Sequence, residues 1–544
     1  MKQGVLLFLA ALVLHLVLIQ PNHPAALTPG ALLLFPLELP AILLLLAAMP
    51  SRGRATSILR AVIVSLLVVF VVMKSLDFGM YSALGRAFNP VADWPLVASG
   101  WQVAQGALGP LSATGVAILG PFAFILMVWL VWWATGAWAK VALPRLPRNL
   151  AAGAAMVAAL IATADVSHAM RGLFPGFEPP GAAFTTRVAI ERARLYGETL
   201  ADLARFDRAA RTDPYAGKAH LFDRLDGHDV ELIFVESYGR ASFDNPLYAP
   251  THMATLRDAQ EEIAAAGLAM RSGWLTSPIA GGQSWLAHAT IASGLKTDGQ
   301  TRYAALLASP RKTLFHLASE AGYRTAAVMP AITMPWPEAD ALGFETVLAA
   351  DDLGYRGQPF NWVTMPDQFT LSRYRDLLGT SERPSFIQTA LISSHAPWVP
   401  VPELVPWDEV GDGEIFDRWA TYGETPAVIW RDRDRVRDQY RMSIDYALRT
   451  VMSFAARRGA DAPLMVILGD HPAAQFVSQI DSFDVAVHLI GPPRLLAAID
   501  DWALTPGLVP AADAPVWPME DFRDRFVEAF STGAGPSMAG RSLP

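Results

Sequence analysis

Apolar residues dominate the first 170 positions in five blocks, at about 4–20, 31–49, 57–76, 113–135 and 149–167. Each block is long enough to span a hydrocarbon core as a helix, so the pattern predicts five transmembrane segments. The first has the length of a secretory leader, but no small-residue cleavage site follows it and four further blocks come after, so it reads as an anchor. From about residue 228 the period changes. Short apolar runs such as Val230–Val235, Thr325–Met329, Ser385–Ile392, Leu464–Leu468 and Val485–Ile490 alternate with amphipathic stretches. That alternation predicts an α/β domain with a central, mostly parallel sheet covered by helices on both faces. Between the two regimes, Gly172–Gly181 is rich in Gly and Pro and reads as a hinge. Thr185–Arg211 then carries apolar positions at helical spacing among charges, as a surface helix lying on a membrane does. The expected organisation is a five-helix membrane domain over 1–168, a connecting region over 169–227 and a catalytic domain over 228–544.

The basic residues between the apolar blocks orient the chain. Lys2, then Arg52, Arg54 and Arg60, then Lys140, Arg145 and Arg148 fall on one side, while the alternate loops hold only Arg86. The positive-inside rule places the N-terminus in the cytoplasm, and five crossings place everything after about residue 168 outside. Lys74, at the outer end of the third block, is a counter-signal. Trp129, Trp132, Trp133 and Trp138 crowd the cytoplasmic end of the fourth block as an interfacial belt. Glu38, inside the second block between Pro36 and Pro40, either marks a function within the membrane or pairs with a neighbouring helix.

Composition removes several function classes. The net charge is −8 and there is no basic run, which argues against a nucleic-acid partner. The chain has no cysteine, which excludes disulfides, zinc–thiolate sites and a cysteine nucleophile.

Chemistry concentrates where apolar runs end. Val230–Val235 stops on Glu236, and Leu464–Gly469 stops on Asp470 and His471. In open α/β sheets functional groups gather beyond the carboxyl ends of strands, and two carboxylates with an imidazole form an oxygen/nitrogen set suited to a divalent metal. Between these runs lies Gly281-Gly282-Gln283-Ser284, followed by an apolar stretch that reads as a helix opening at Ser284. A serine there serves either as a helix cap or as a nucleophile favoured by the positive end of the helix.

In these features the chain resembles the alkaline phosphatase superfamily, and within it the membrane-anchored, sulfatase-like branch of lipoteichoic acid synthases and phosphoglycerol and phosphoethanolamine transferases. Phe234-Val235-Glu236-Ser237 resembles the first strand with its metal-binding Glu, and Ser284 stands in the place of the nucleophile. Ser393-Ser394-His395-Ala396-Pro397-Trp398 resembles the segment whose His contacts the substrate phosphate, and Gly469-Asp470-His471 the closing pair of metal ligands. The resemblance implies metal ligands Glu236, Ser284, Asp470 and His471, nucleophile Ser284, and His395 as stabiliser of the phosphate or leaving group. His288, Trp362 and Arg240 are candidate substrate-binding residues. Leu286 and His288 replace the Pro and Arg that mark a residue for oxidation to formylglycine, which argues against that type of sulfatase. Val235 before Glu236 favours one metal ion, with manganese or zinc expected and magnesium a further option. The absence of cysteine leans toward the phosphoglycerol-type branch.

The implied activity is transfer of a phospholipid-derived phospho-headgroup to an envelope glycan or lipid through a phospho-serine, at the outer face of a bacterial inner membrane. The alternatives are a phosphodiesterase, phosphatase or sulfuric-ester hydrolase of the same superfamily, and a catalytically silent membrane scaffold. A transporter built on the spans has too few charged residues within them to recommend it.

Overall fold

The computed structural model of the chain describes residues 2–51, 53–84, 87–90, 93, 110–174, 179–459 and 462–535. Arg52, Arg86, most of the loop before the fourth apolar block and residues 175–178 of the expected hinge lie outside the described residues. The chain divides into two compact units, Met1–Leu203 and Ala204–Pro544.

The first unit is helical, with α1 (Lys2–Ile19), α2 (Glu38–Ala48), α3 (Arg54–Leu84), α4 (Pro110–Ala139) and α5 (Arg145–Arg171) followed by α6 (Phe184–Ala210). Among the described residues four helices, α1, α3, α4 and α5, are long and apolar enough to cross a bilayer. The expected second span is shorter than its apolar block, because α2 has only 11 residues and a separate turn at Pro29–Leu32 precedes it. Pro36 accounts for the break, since proline disfavours helical backbone in the residue before it. Pro40 falls in the first turn of α2, where a missing N–H costs little.

Glu38, Lys74, Asp77 and Asp165 in these helices are partnered by residues of α6. Glu38 accepts hydrogen bonds from the Thr186 N–H and hydroxyl at 2.9 and 3.0 Å. Lys74 is fully buried and donates to Thr185 Oγ1 at 2.7 Å and to the Leu18 carbonyl at 2.9 Å. Arg192 lies 2.9 Å from Asp77, and Arg187 grips Asp165 with Nη2 2.7 Å from Oδ1 and Nε 3.2 Å from Oδ2. Lys74, the counter-signal to the charge rule, is therefore a structural cation rather than an orientation signal.

The second unit carries a nine-stranded sheet. Its strands are β1 (Val230–Val235), β2 (Ala269–Thr276), β3 (Arg324–Met329), β4 (Thr346–Ala349), β5 (Ser385–Ala390), β6 (Leu464–Gly469), β7 (Asp484–Gly491), β8 (Thr505–Pro506) and β9 (Val516–Pro518). The order is β4-β3-β5-β1-β6-β7-β2-β8, with β9 also on β2. The sheet is mixed: β4, β3, β5, β1 and β6 pair in parallel, while β7 runs antiparallel to β6 and β2, and β8 antiparallel to β2. Every residue of β1 and β6 is buried, which two covered faces require. Alternate side chains feed separate cores. Ile233, Val235, Met465 and Ile467 pack on one face, with Leu256 and Ile263 of α7 (Ala249–Ala265). Leu232, Phe234, Val466 and Leu468 pack on the other, with Leu286 and Ile291 of α8 (Ser284–Ser293) and Phe315 of α9 (Leu314–Glu320).

Candidate active site and metal centre

Strand direction delivers the chemistry to one edge. β1 pairs in parallel with β6 in the register Val235↔Gly469, so Glu236 and Asp470-His471 leave the sheet side by side. Gly469 is required there, since a Cβ on it would meet the Tyr238 carbonyl oxygen at 1.9 Å. β5 is parallel to β1 and leads into the turn that carries His395. β2, antiparallel to β7, which is itself antiparallel to β6, ends on the same edge and leads to Ser284. The loop from β2 to α8 is held against the Asp470 segment: Ser277 Oγ donates to the Asp470 carbonyl at 2.7 Å and the Gly281 N–H to the Pro472 carbonyl at 2.9 Å. Gly281, Gly282 and Gln283 all have positive φ, at 74, 139 and 68°, and this left-handed run turns the chain directly into α8. Gln283, in the cap position, makes no side-chain cap bond, so Ser284 is the first helical residue and its hydroxyl is free of that duty.

Ser284 Oγ instead donates to Glu236 Oε2 at 2.8 Å and lies 3.2 Å from His471 Nε2. His471 Nε2 is 3.2 Å from Glu236 Oε1 and 3.8 Å from Asp470 Oδ2. One ligand-type atom from each of Glu236, Asp470 and His471 falls within 4.8 Å of the others. The supports are as ordered as the site: Asp470 Oδ1 accepts the N–H groups of Ser237 and His471 at 2.9 and 2.6 Å, and Ser394 Oγ donates to the Glu236 carbonyl at 2.7 Å.

The electrostatics fit a cation. Burial, then the neighbouring Glu236 charge, raises the Asp470 carboxyl well above the usual range. Burial is the largest single influence on Glu236 and opposes its ionisation, but the charge and hydrogen bond of His471, with His395 and Asp470, together outweigh it and hold that carboxyl low. His471 is raised to about 9: burial works against its charge, and Asp470 and Glu236 more than offset it. Two buried carboxylates that force a proton onto one of their number are a donor set that a divalent ion would satisfy instead.

The other expected residues separate into two groups. His395 and His288 line a cavity of about 490 Å³ together with Glu236, Ser284 and Asp470. His288 packs against Phe234 with ring centroids 4.0 Å apart and planes tilted by 37°, and burial lowers its pKa to about 3, so the ring is neutral. Trp362 is 78% exposed and lines a separate surface hollow with Pro397 and Trp430. Arg240 bonds to Asp244 and Asp484 at 2.7 and 3.1 Å and lies over the Trp274 ring at 4.6 Å, which occupies its guanidinium in packing. Of the remaining histidines, His488 is buried between Tyr238 and Ser272 hydroxyls, His252 is buried against the Arg441 carbonyl, and His316 completes a capping box with Thr313.

Asp367 is a contributor that sequence reasoning passed over. It opens α10 (Asp367–Leu378), and its Oδ1 accepts the N–H groups of Ile392 and Ser393, both at 2.8 Å, which pins the turn before His395. Burial raises its pKa from 3.8 to about 6, against the pull of those hydrogen bonds. The folded state therefore holds this proton more tightly than the unfolded chain, and the stability it gives at low pH is lost as pH rises through about 6. Asp367→Asn keeps an acceptor oxygen and removes the titration. Thermal unfolding from pH 4 to 6 is expected to lose a falling component of about 3 kcal/mol in this variant. An unchanged pH dependence would assign that limb to other groups.

Part of the second unit matches a known family model. Residues 229–477 match the family model described as Sulfatase. This segment runs from the start of β1 past Asp470-His471. No curated protein matches the chain. Among solved structures, the lipooligosaccharide phosphoethanolamine transferase A of Neisseria meningitidis is similar at 13% identity and a TM-score of 0.40, covering 76% of this chain and 76% of that one. The lipoteichoic acid synthase LtaP of Listeria monocytogenes is similar at 12% identity and a TM-score of 0.38, covering 57% of this chain and 74% of that one. The phosphoglycerol transferase GacH of Streptococcus pyogenes is similar at 13% identity and a TM-score of 0.37, covering 61% and 82% respectively.

Proposed function

We propose that this chain belongs to the sulfatase family and is a membrane-bound transferase that moves a phospholipid-derived phospho-headgroup, phosphoglycerol or phosphoethanolamine, to a glycan or lipid of the bacterial envelope. The observation that carries the reading is the Ser284 hydroxyl, set at the positive end of α8, 2.8 Å from Glu236 and at the mouth of a cavity. Apolar helices long enough to span a bilayer supply the reason for a membrane-confined donor, which a soluble phosphatase does not need. In functional terms residues 1–168 form the membrane anchor, 169–227 the connection and 228–544 the catalytic domain.

Glu236, Asp470, His471 and Ser284 would hold one divalent ion, manganese or zinc before magnesium, which when bound acts as a Lewis acid and acidifies hydroxyl groups. Ser284 Oγ attacks the phosphorus of the donor, the bond to the diacylglycerol oxygen breaks, and a phospho-serine remains. Glu236 Oε2, already the acceptor of the Ser284 hydrogen bond, orients the hydroxyl, whose proton passes to solvent. His395, which lines the same cavity, stabilises the charged phosphorus centre or protonates the departing oxygen. An acceptor hydroxyl then displaces Ser284. If water takes that place, the same first step yields a phosphodiesterase, the second reading.

Detergent-solubilised full-length protein supplied with manganese and headgroup-labelled phosphatidylglycerol or phosphatidylethanolamine tests the proposal. Diacylglycerol release that depends on one headgroup, with label passing to an added glycan or lipid alcohol, is the expected result. Release of free phospho-headgroup regardless of acceptor would favour the hydrolase.

Orientation turns on the short α2, because only an odd number of crossings separates the N-terminus from the catalytic domain. Reporter fusions after Arg54 and Arg145 are expected in the cytoplasm, and those after Pro90 and Gly181 in the periplasm. A cytoplasmic signal at Gly181 would show that α2 does not cross and would remove the outward-facing scheme.

A further inference from the structure

We propose that Glu338, with Trp336 and Tyr303 beside it, is a cation-reading subsite that selects a phospho-ester bearing an ammonium group over one bearing a neutral polyol. This rests on the reading of Ser284 as the nucleophile and names the residue that decides between headgroups.

The cavity beside Ser284 has a second polar region. Glu338, Trp336, Tyr303 and Gln300 line it together with Trp285, the neighbour of Ser284 in sequence. Trp285 Nε1 donates to Gln300 Oε1 at 3.2 Å, and Tyr303 stands one turn along the same helix, Gln300–Leu307. Burial first, and then the nearby Glu338 charge, push the Tyr303 hydroxyl up to about 12, and the Trp336 side chain is its hydrogen-bonding neighbour. A short chain of contacts thus runs from the residue after the nucleophile to a carboxylate beside two aromatic side chains.

That carboxylate lacks a cation. Glu338 is half-buried, and no hydrogen bond or ion pair reaches its side chain among the described residues. Among the described residues no Lys or Arg lines the cavity, and its other carboxylates, Glu236 and Asp470, belong to the candidate metal centre. An unpaired carboxylate in a concave site is unfavourable, and a bound ammonium relieves it through charge-assisted hydrogen bonds. The Trp and Tyr faces add the attraction of an aromatic quadrupole for a cation. His288 Nε2, buried in the same cavity without a partner, offers the bound ester one more hydrogen bond. A glycerol hydroxyl can donate to Glu338 but leaves its charge in place, whereas an aminoethyl group neutralises it. The subsite therefore runs against the lean toward phosphoglycerol that the absence of cysteine gives.

Two near-isosteric p-nitrophenyl phosphodiesters, 2-aminoethyl and 2-hydroxyethyl, test this with detergent-solubilised full-length protein and manganese at neutral pH, where the amine is charged. In each, the Ser284 Oγ–phosphorus bond forms, the phosphorus–nitrophenyl oxygen bond breaks, nitrophenolate leaves with the electron pair, and the serine proton passes to solvent. Water later cleaves the phospho-serine. The aminoethyl-to-hydroxyethyl ratio of kcat/KM, each corrected for its uncatalysed rate, is expected to be at least about tenfold, the scale of one hydrogen bond between charged groups. Glu338→Gln keeps the shape and removes the charge, and is expected to bring the ratio close to one. Glu338→Asp keeps the charge and is expected to hold the ratio above that of Glu338→Gln. Because the ratio is internal to each variant, loss of folded protein or a weakened helix start cancels from it. A ratio near one in the unmodified protein, with both esters turned over, overturns the inference and leaves the phospho-transfer reading standing. A high ratio that survives Glu338→Gln overturns it equally. Failure to turn over either ester overturns both.

Discussion

Replacing Ser284 by alanine is expected to lower turnover by about 10⁴-fold or more, the scale of loss when a nucleophile is removed and only binding and electrostatics remain. The change deletes one oxygen whose bonds go to Glu236 and His471 and which caps nothing, so the fold is expected to persist. Nearby hydroxyls are poor substitutes because each is already engaged. Thr276 donates to Asp484, Ser277 to the Asp470 carbonyl, Thr290 to the Leu286 carbonyl, and Ser293 accepts the Leu295 N–H. Ser284→Thr keeps a hydroxyl at the same helix start and is expected to retain part of the activity. Full activity in Ser284→Ala would assign the nucleophile elsewhere.

The second large effect concerns the metal. Asp470→Asn and His471→Ala are expected to weaken divalent-ion binding by more than about 100-fold, beyond the 10–100-fold typical of groups that only orient ligands. Asp470→Asn is the cleaner variant, since an amide oxygen still accepts the Ser237 and His471 N–H groups that Asp470 Oδ1 now holds. A ligand that binds only the folded state stabilises it by about 2.7 kcal/mol at 100 times its Kd. Manganese or zinc is therefore expected to raise the melting temperature of the unmodified protein and to do so far less in either variant. Equal metal content and an equal thermal response in all three proteins would show that the ligands are others.

Much of the candidate catalytic edge was legible in the sequence because a strand buried on both faces writes a continuous apolar run, and its end is marked by the first charge. That logic located Glu236, Asp470 and His471, and the parallel register of β1 and β6 brings them together. β2 was not legible. Its sequence, Ala269 to Thr276, mixes Arg, Ser, Gly and Trp, and it becomes a strand by pairing along its full length with β7. The antiparallel β7 follows from its link to β6, which holds only the single helical turn Gln475–Ser478 and no covering helix for a parallel crossover. Arg240 shows the opposite failure. It is close to Glu236 in sequence, but Asp244 and Asp484 claim its guanidinium. The cavity wall was invisible, since Phe315, Met329, Leu342 and Phe344 are scattered along the chain and read as ordinary core. The five apolar blocks overstated helical length at the second, where composition was apolar enough but Pro36 broke the backbone.

A covalent phospho-serine is expected at the junction of β2 and α8. Full-length protein with manganese and donor lipid, quenched in acid without an acceptor, can be digested with trypsin and examined by mass spectrometry. The account predicts a phospho-headgroup mass on the peptide Ser272–Lys296, mapped by fragmentation to Ser284 and absent from Ser284→Ala. An adduct on any other residue, or diacylglycerol release at an undiminished rate in Ser284→Ala, would contradict it.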